Sequence, residues 1–600
     1  MCGIFGLLLK RPLREDDLAL GRAGTAALAY RGPDDHGEWF DIDAGVYFGH
    51  RRLSIIDLGA GGQQPMVRGQ EALTYNGEIY NYRALSGQLG QAGIAMSSQS
   101  DSEVLLQAMR HWGRSAVERL DGMFAFAFWD GQEAMLAVDP FGEKPLYYAT
   151  TEEGVYFSSE LGPLARLLKL DAALDDEHWA AFLSLGYIPS PQTVYPAVRR
   201  LEPASVVTVT KGVPARSTRY WTPPSGEPGR GAVRPLSEAN IDSLAEALIG
   251  SLERRLVADV PIGLFLSSGV DSALIASLCR RELDRELDCL TVAFPEGDVT
   301  NECEAAAAIA AYLGLPHRIL ENQVNPETAN IARVVELFGQ PSGNSGILPV
   351  DQLCAAAVRH YKVGLTGIGG DEVTWGYGKN QTYWRWRHIF GLPAPVRRLM
   401  LEAGRLLGGG AARFGNRVGA PKTELYLANK NFPALPWLKA LPGFDSWAAE
   451  AFAGDCPLEL AVPLFDFNEV LPNMQLPAFD HASMRHGLEL RTPFLNRDLV
   501  EVVAGFDPRA LLAFGQKSVF RRLLGRYLPA DLYERPKAGF SFPEEFLVRN
   551  VPSPKIVGAL SASAIDTVWD AKMEPGAWRT LAVRLLAAAH FFDQERLAHG

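Results

Sequence analysis

Over roughly the first 200 positions, apolar and polar residues alternate in short runs. VYFGH (46–50), RLSII (52–56), ALTYN (72–76), MFAFAFW (123–129), AMLAV (134–138), LYYAT (146–150) and VYFSS (155–159) recur between turn residues. A period of two over four to eight residues, bounded by turns, predicts strands with one face buried. The run of such strands predicts stacked antiparallel sheets. Helical spacing is confined to about 80–92 and 102–120, which makes this region α+β. Residues 222–240, TPPSGEPGRGAVRPLSEAN, are rich in Pro, Gly and polar residues and show no period, so they read as a linker.

Beyond that point the period changes. A helical stretch at 241–257 leads into the apolar run IGLFL (262–266), then a helix at 271–283. LTVAF (290–294), an Ala-rich helix (302–313) and KVGLTG (362–367) follow. Strand alternating with helix predicts a parallel sheet covered on both faces, an α/β region. The last 200 residues are mostly helical by pattern. The implied organisation is a first domain over 2–210, a linker over 211–240, a second domain over 241–550 and a helical extension over 551–600.

Composition narrows the function. A chain of 600 residues is too long for one core. A net charge of −12 disfavours wide contact with nucleic acid or an anionic membrane. Cys2, Cys279, Cys289, Cys303, Cys354 and Cys456 are too scattered for a disulfide framework, and no pair has zinc-ligand spacing. A reducing, cytoplasmic setting fits them. The apolar stretch Ile4 to Leu9 lacks a basic start and is too short for a signal peptide, and no run reaches the roughly 20 apolar residues of a membrane span.

Candidate chemistry begins at Cys2. If the initiator methionine is removed, Cys2 carries a thiol and a free α-amine, and the amine can act as general base for its own side chain. A lone cysteine is as readily an incidental one. Here it is followed by Arg31-Gly32-Pro33-Asp34, Gly49-His50-Arg51-Arg52-Leu53-Ser54-Ile55, Tyr75-Asn76-Gly77-Glu78-Ile79-Tyr80-Asn81 and Ser100-Asp101-Ser102-Glu103. This series resembles the class II glutamine amidotransferases, of the N-terminal-nucleophile type, in order and spacing. The resemblance implies that Cys2 attacks the side-chain amide of glutamine, with Asn76 and the Gly77 backbone N–H as oxyanion hole. It implies that Arg52 pairs with the α-carboxylate and that Asp101 holds the α-ammonium, with Leu53, Ser54, Ile55, Ile56 and Glu78 also lining the glutamine site.

The second candidate is the turn Ser267-Ser268-Gly269-Val270-Asp271-Ser272 between strand and helix. Small residues let backbone N–H groups approach phosphate oxygens, and the helix N-terminus favours negative charge. Read alone, it is also compatible with an ordinary strand-to-helix turn. It is not a Walker A loop, because no lysine follows a GxxxxG. A second glycine-rich turn is Thr366-Gly367-Ile368-Gly369-Gly370-Asp371-Glu372, then Trp375-Gly376-Tyr377. Phe479-Asp480-His481-Ala482-Ser483-Met484, Glu489-Leu490-Arg491-Thr492-Pro493-Phe494-Leu495, Lys517 and Arg535-Pro536-Lys537-Ala538-Gly539-Phe540 complete the series. These segments are similar to the N-type ATP pyrophosphatase domain of glutamine-hydrolysing asparagine synthetases. The resemblance covers about residues 1–550.

That family implies ATP as substrate, with the acceptor carboxylate activated as an acyl-adenylate and pyrophosphate released. Ser267 to Ser272 would cradle pyrophosphate, and Phe265, Ala293, Thr366 and Gly367 would hold the adenosine. Asp271 and Asp371 would bind Mg²⁺. Lys537 would stabilise the adenylate, unless it is an ordinary surface lysine. Ammonia would pass from Cys2 to the adenylate inside the protein. Small-molecule substrates are the implied partners, and family analogy suggests a homodimer.

Five departures stand out. Ile368 occupies a position where the family carries an acid, and isoleucine transfers no proton. Ser268 replaces a glycine, Val138 an arginine before Asp139, His481 an arginine, and Gly339-Gln340 an acidic pair. Aspartate is the default acceptor. Ile368 keeps two alternatives open: another carboxylate (a uronic-acid sugar, a peptide or a natural product), or a glutaminase or regulatory protein with an impaired second centre. A cyclase that needs no ammonia is disfavoured by the intact Cys2, Arg52, Asn76 and Asp101.

Overall fold

In this computed structural model the described residues are 2–224, 234–293, 299–321, 330–407, 418, 426–427, 435–451, 456–534, 544–548, 551–556, 560–570 and 577–599. Two antiparallel sheets form the N-terminal half. One has six strands, with Gly3–Leu9 between Val46–Arg52 and Gly154–Ser158. The other has seven, with Glu71–Ile79 paired to Gly122–Trp129 and the latter to Glu133–Val138.

The period of two explains how they stack. Ile4, Leu8, Val46 and Phe48 of the first sheet meet Ala125, Ala127, Leu136 and Val207 of the second in one apolar layer. The intervening residues of the first sheet, Phe5, Leu7 and Leu9, face the opposite way into a cluster with Leu18 and helix Asp176–Leu185. Tyr75, Phe124 and Phe126 of the second sheet face Leu85, Leu105 and Met109 on helices Tyr82–Gln91 and Asp101–Trp112. The result is helix, sheet, sheet, helix. Strands buried on both faces read as continuous apolar runs, as MFAFAFW does.

The C-terminal half holds a five-stranded, all-parallel sheet. Ile262–Phe265 lies between Asp288–Ala293 and Val363–Leu365, His317–Glu321 flanks the first of these, and Glu489–Arg491 flanks the second. Leu264 and Leu266 pack with helices Glu238–Arg255 and Val270–Arg281 on one face. Leu290 and Leu490 pack with helices Ile331–Phe338 and Ile347–Ala357 on the other. Expected glycine-rich turns therefore emerge at the C-terminal ends of two adjacent parallel strands, where open α/β sheets form ligand crevices. Helix Leu458–Phe465 continues through a π-helical stretch, Asp466–Gln475, into Leu476–Met484.

Candidate active sites

The first centre is built where three N-terminal elements meet. Cys2 precedes strand Gly3–Leu9 and is buried; its backbone N–H donates to Oδ1 of Asn76 at 2.9 Å. Asn76 is itself fully buried in strand Glu71–Ile79, and its Nδ2 has no hydrogen-bond partner among the described residues. A buried amide donor left unpaired costs about 1–3 kcal/mol, so its persistence marks a group reserved for something that binds beside it. Gly77 is required by space as well as conformation: its φ is +153°, and a Cβ there would lie 2.1 Å from the carbonyl oxygen of Met123.

Burial pushes the Cys2 thiol above its usual range, while a backbone hydrogen bond from Leu53 and the charge of Arg52 pull it down. The thiol therefore needs a base to ionise. Arg52 spans the loop that follows it. Its guanidinium donates to the carbonyl oxygens of Gly59 (2.9 Å), Ile56 (3.4 Å) and Asp57. The loop that carries Leu53, Ser54, Ile55 and Ile56 is also tied by the Ser54 N–H to Asp34 (2.7 Å), and Asp34 pairs with Lys362 of the C-terminal half at 2.8 Å.

Two carboxyls complete this centre. Asp101, the first residue of its helix behind the Ser100 cap, accepts from Tyr75 Oη (2.9 Å) and the Ile79 N–H (3.0 Å). Burial raises its pKa in spite of these bonds. Glu78 is raised well above the ordinary carboxyl range by burial and by Glu489 and Asp101, and its Oε2 has no hydrogen-bond partner among the described residues. A buried carboxyl of this kind gains by meeting a cation such as an α-ammonium.

At the second centre, the loop after strand Ile262–Phe265 is stitched by its own hydroxyls. Ser272 Oγ accepts from the Ser267 N–H at 3.0 Å, lies 3.0 Å from Ser267 Oγ, and Ser267 Oγ accepts from the Gly269 N–H at 3.1 Å. Gly269 caps helix Val270–Arg281, and Ser268 is absent from the residues with positive φ, so its side chain is accommodated. The second turn follows strand Val363–Leu365 and closes on the first. A Cβ at Gly367 would lie 2.8 Å from Asp271 Cβ, and one at Gly370 would lie 2.6 Å from Asp271 Oδ1. Thr366 belongs to the same turn and donates its N–H to the Arg491 carbonyl at 3.0 Å. Phe265 packs on the sheet's second face, and Ala293 ends the neighbouring strand.

Asp271 and Asp371 converge as the motifs suggested, and the residue they converge on is Lys517. Its ammonium contacts Asp271 and lies 2.9 Å from Asp371. Burial would lower its pKa, but the two carboxylates outweigh that and raise it. Lys517 was visible in the sequence without a role, because an isolated lysine ahead of a helix carries no local signal. Two hard carboxylates directed at one cation site also suit Mg²⁺. Lys537 lies outside the described residues.

Of the five departures, Ile368 and Ser268 are at this centre. Ile368 is partly buried and packs against the apolar cluster that contains Leu365, Val373 and Leu495. Four residues on, Glu372 is buried and accepts from Tyr377 Oη at 2.6 Å; burial holds its carboxyl at about 7, a value suited to proton exchange near neutral pH. Val138 sits in the layer between the antiparallel sheets. Gln340 accepts from the Val194 N–H at 3.3 Å, and His481 lies 3.1 Å from Glu160, so both belong to the contact between the halves.

Residues 1–221 match the family model described as a glutamine amidotransferase domain, and residues 243–582 match the one described as asparagine synthase. A putative glutamine-hydrolysing asparagine synthetase of Mycobacterium tuberculosis (strain H37Rv) is 33% identical, over 88% of this chain and 84% of its own length. Asparagine synthetase 1 of Bacillus subtilis is 28% identical, over 94% of this chain and 91% of its own. Amidase chry2 of Gibberella zeae is 25% identical, over 86% of this chain and 84% of its own.

Proposed function

Because the chain belongs to the asparagine synthase family, with a glutamine amidotransferase domain ahead of the synthase domain, we propose that it moves the amide nitrogen of glutamine onto a carboxylate that its second centre has activated with ATP. The coarse activity follows from the family: it is a glutamine-dependent ligase with ATP as substrate. The roles of individual residues and the acceptor are our reading.

Cys2 Sγ attacks the side-chain carbonyl carbon of glutamine. Asn76 Nδ2 and the Gly77 N–H receive the oxyanion, Arg52 the α-carboxylate, and Asp101 with Glu78 the α-ammonium. Collapse of the adduct expels ammonia and leaves a thioester, which water cleaves to glutamate. At the second centre the acceptor carboxylate attacks the α-phosphorus of ATP and pyrophosphate departs. Residues 267–272 hold the departing phosphates, and Phe265, Ala293, Thr366 and Gly367 flank the adenosine. Asp271 and Asp371 would hold Mg²⁺, which neutralises charge on the phosphate oxygens. Lys517 and Lys537 supply positive charge to the same groups. Ammonia then displaces AMP, and we assign to Glu372 the proton that Ile368 cannot take.

The observation that supports joining the two reactions is a residue shared by the two centres. The Arg491 guanidinium is 3.9 Å from Glu78, and its carbonyl accepts from Thr366 at 3.0 Å. One residue therefore touches both sites, and we read the ammonia released at Cys2 as passing inside the protein to the adenylate.

Aspartate is the first acceptor to test. A larger or less polar carboxylate is the second reading, favoured by the apolar packing of Ile368. Purified protein with glutamine, ATP and Mg²⁺ is to be given aspartate, then a panel of uronic acids and peptide carboxylates, and pyrophosphate and the product mass followed. Aspartate-dependent pyrophosphate with asparagine formed settles the acceptor as aspartate. Pyrophosphate driven only by another acid moves the assignment to that acid. A cytoplasmic location, read from the scattered cysteines, and a homodimer, read from family resemblance, complete the proposal.

Replacing Asn76 by alanine tests the oxyanion hole. Removing one such donor costs about 10²–10³ in kcat. We expect that loss in glutamine hydrolysis, with KM for glutamine changed less than threefold. A kcat loss below tenfold would remove Asn76 from this role.

A further inference from the structure

Cys2 is held at its backbone by two side chains. One is Asn76, which accepts from its N–H at 2.9 Å. The other is Arg31, whose Nε donates to the Cys2 carbonyl oxygen at 3.1 Å. Arg31 is wholly buried, and a buried guanidinium takes its orientation from its acceptors. These are Glu160, from the same half, and Asp480, which accepts from Nη2 at 2.9 Å.

Asp480 comes from helix Leu476–Met484 of the C-terminal half. It reaches into the N-terminal half and also accepts from Lys144 Nζ at 3.1 Å. Burial alone would raise its carboxyl, but Arg31 and Lys144 outweigh that and hold it at about 2. Glu160, Asp480 and His481 bring their donor atoms within 4.8 Å of one another, a grouping that could suggest a metal. The charges argue otherwise. Arg31 and Lys144 already neutralise both carboxylates, and the cluster is balanced without a further cation.

We propose that Asp480 is a positioning residue for glutamine hydrolysis, acting through Arg31 on the Cys2 backbone, so that the ATP-using half completes the glutaminase centre. The inference rests on the reading of Cys2 as the nucleophile. A nucleophile at the end of a chain is anchored on one side by covalent structure and on the other by whatever holds its peptide groups. Asn76 holds the Cys2 N–H and Arg31 the Cys2 carbonyl, and Asp480 fixes where Arg31 points. Without Asp480 the guanidinium keeps only Glu160 as a carboxylate acceptor, and its Nε is aimed less firmly at the Cys2 carbonyl. Placement errors of an ångström cost about a hundredfold in rate while leaving substrate contacts in place.

The test uses the full-length chain and measures glutamine hydrolysis without ATP or acceptor. Asp480→Asn keeps the shape and removes the charge. We expect kcat to fall by about ten- to hundredfold, with KM for glutamine within twofold and the rise in unfolding temperature on adding ATP unchanged. Asp480→Glu restores part of the rate. Lys144→Gln combined with Asp480→Asn removes a matched charge pair, so it separates aim from charge balance, and it is expected to be as slow as Asp480→Asn. Wild-type kcat in Asp480→Asn, recovery in the double variant, or loss of the ATP response in both variants along with kcat overturns the proposal. Absence of glutaminase activity in the unaltered protein overturns the underlying reading of Cys2 instead.

Discussion

Replacing Cys2 by serine is expected to lower glutamine hydrolysis by a thousandfold or more, on the order of what loss of a nucleophile costs elsewhere, while ammonia-supported amide formation continues. The two halves of that result come from separate features. The thiol is buried and its pKa is raised by that burial, so a standing thiolate does not account for its reactivity. Reactivity requires a base at hand, and in the proposed mechanism that base is the α-amine that removal of Met1 would expose, with an ordinary pKa of roughly 7.7–8.0. Serine keeps the amine and the Asn76 contact but offers a far weaker nucleophile. Free ammonia bypasses the step altogether. Assays of glutamate release and of amide formation from ammonium chloride, run side by side, check both halves. Loss of the ammonia-supported reaction along with the glutaminase would show that Cys2 serves the fold and not the chemistry.

Lys517→Met is expected to produce the reverse pattern. Pyrophosphate release falls by roughly 10²–10³-fold, and glutamine hydrolysis stays within threefold of the unaltered protein. Lys517 is the cation that Asp271 and Asp371 share, and it is almost wholly buried. Methionine of similar length leaves two carboxylates close together in a largely buried site, which repels the phosphates that must enter. Breaking a buried pair in this way also costs about 3–5 kcal/mol of stability. The retained glutaminase therefore serves as the check that the chain is folded. A fall in pyrophosphate release of less than tenfold would show Lys517 to be a structural counter-ion only.

The sheet type of each half was legible in the chain because its physics is local. Alternation of apolar residues marks a strand with one covered face, and IGLFL followed by small residues marks a strand that feeds a helix. Helix Glu15–Ala27 was not legible, and its packing shows why. Its buried face carries Gly21 and Gly24, where a Cβ would lie 2.6 Å from the Tyr47 ring and 2.5 Å from the Phe5 ring. A helix that packs through glycine has little apolar stripe to read. Strand Glu489–Arg491 was hidden for the opposite reason: its glutamate and arginine look like surface residues, yet both are fully buried and bonded to each other at 2.6 Å.

The candidate sites divide in the same way. The glycines and small hydroxyls of the two loops declare themselves, because close approach of backbone needs those residue types. Lys517, Arg31 and Asp480 do not. Each takes its role from a partner more than 25 residues away: Asp271 for Lys517, and Cys2 and Asp480 for Arg31. The departures in the family pattern are likewise interpretable only in three dimensions. Gly339-Gln340 and His481 lie at the contact between the halves, whereas Ile368 faces apolar residues beside the second turn.

In the proposed function, nitrogen passes from glutamine, through the protein, to an ATP-activated carboxylate. Amide-¹⁵N glutamine, supplied with ATP, Mg²⁺, an acceptor that drives pyrophosphate release and an equal concentration of unlabelled ammonium, tests it by the mass of the product. The expected product amide is labelled far beyond the half that mixing would give, with one pyrophosphate formed per amide. Label diluted to the ratio in solution, or glutamate formed with no ATP-dependent labelled amide from any carboxylate tried, would contradict it.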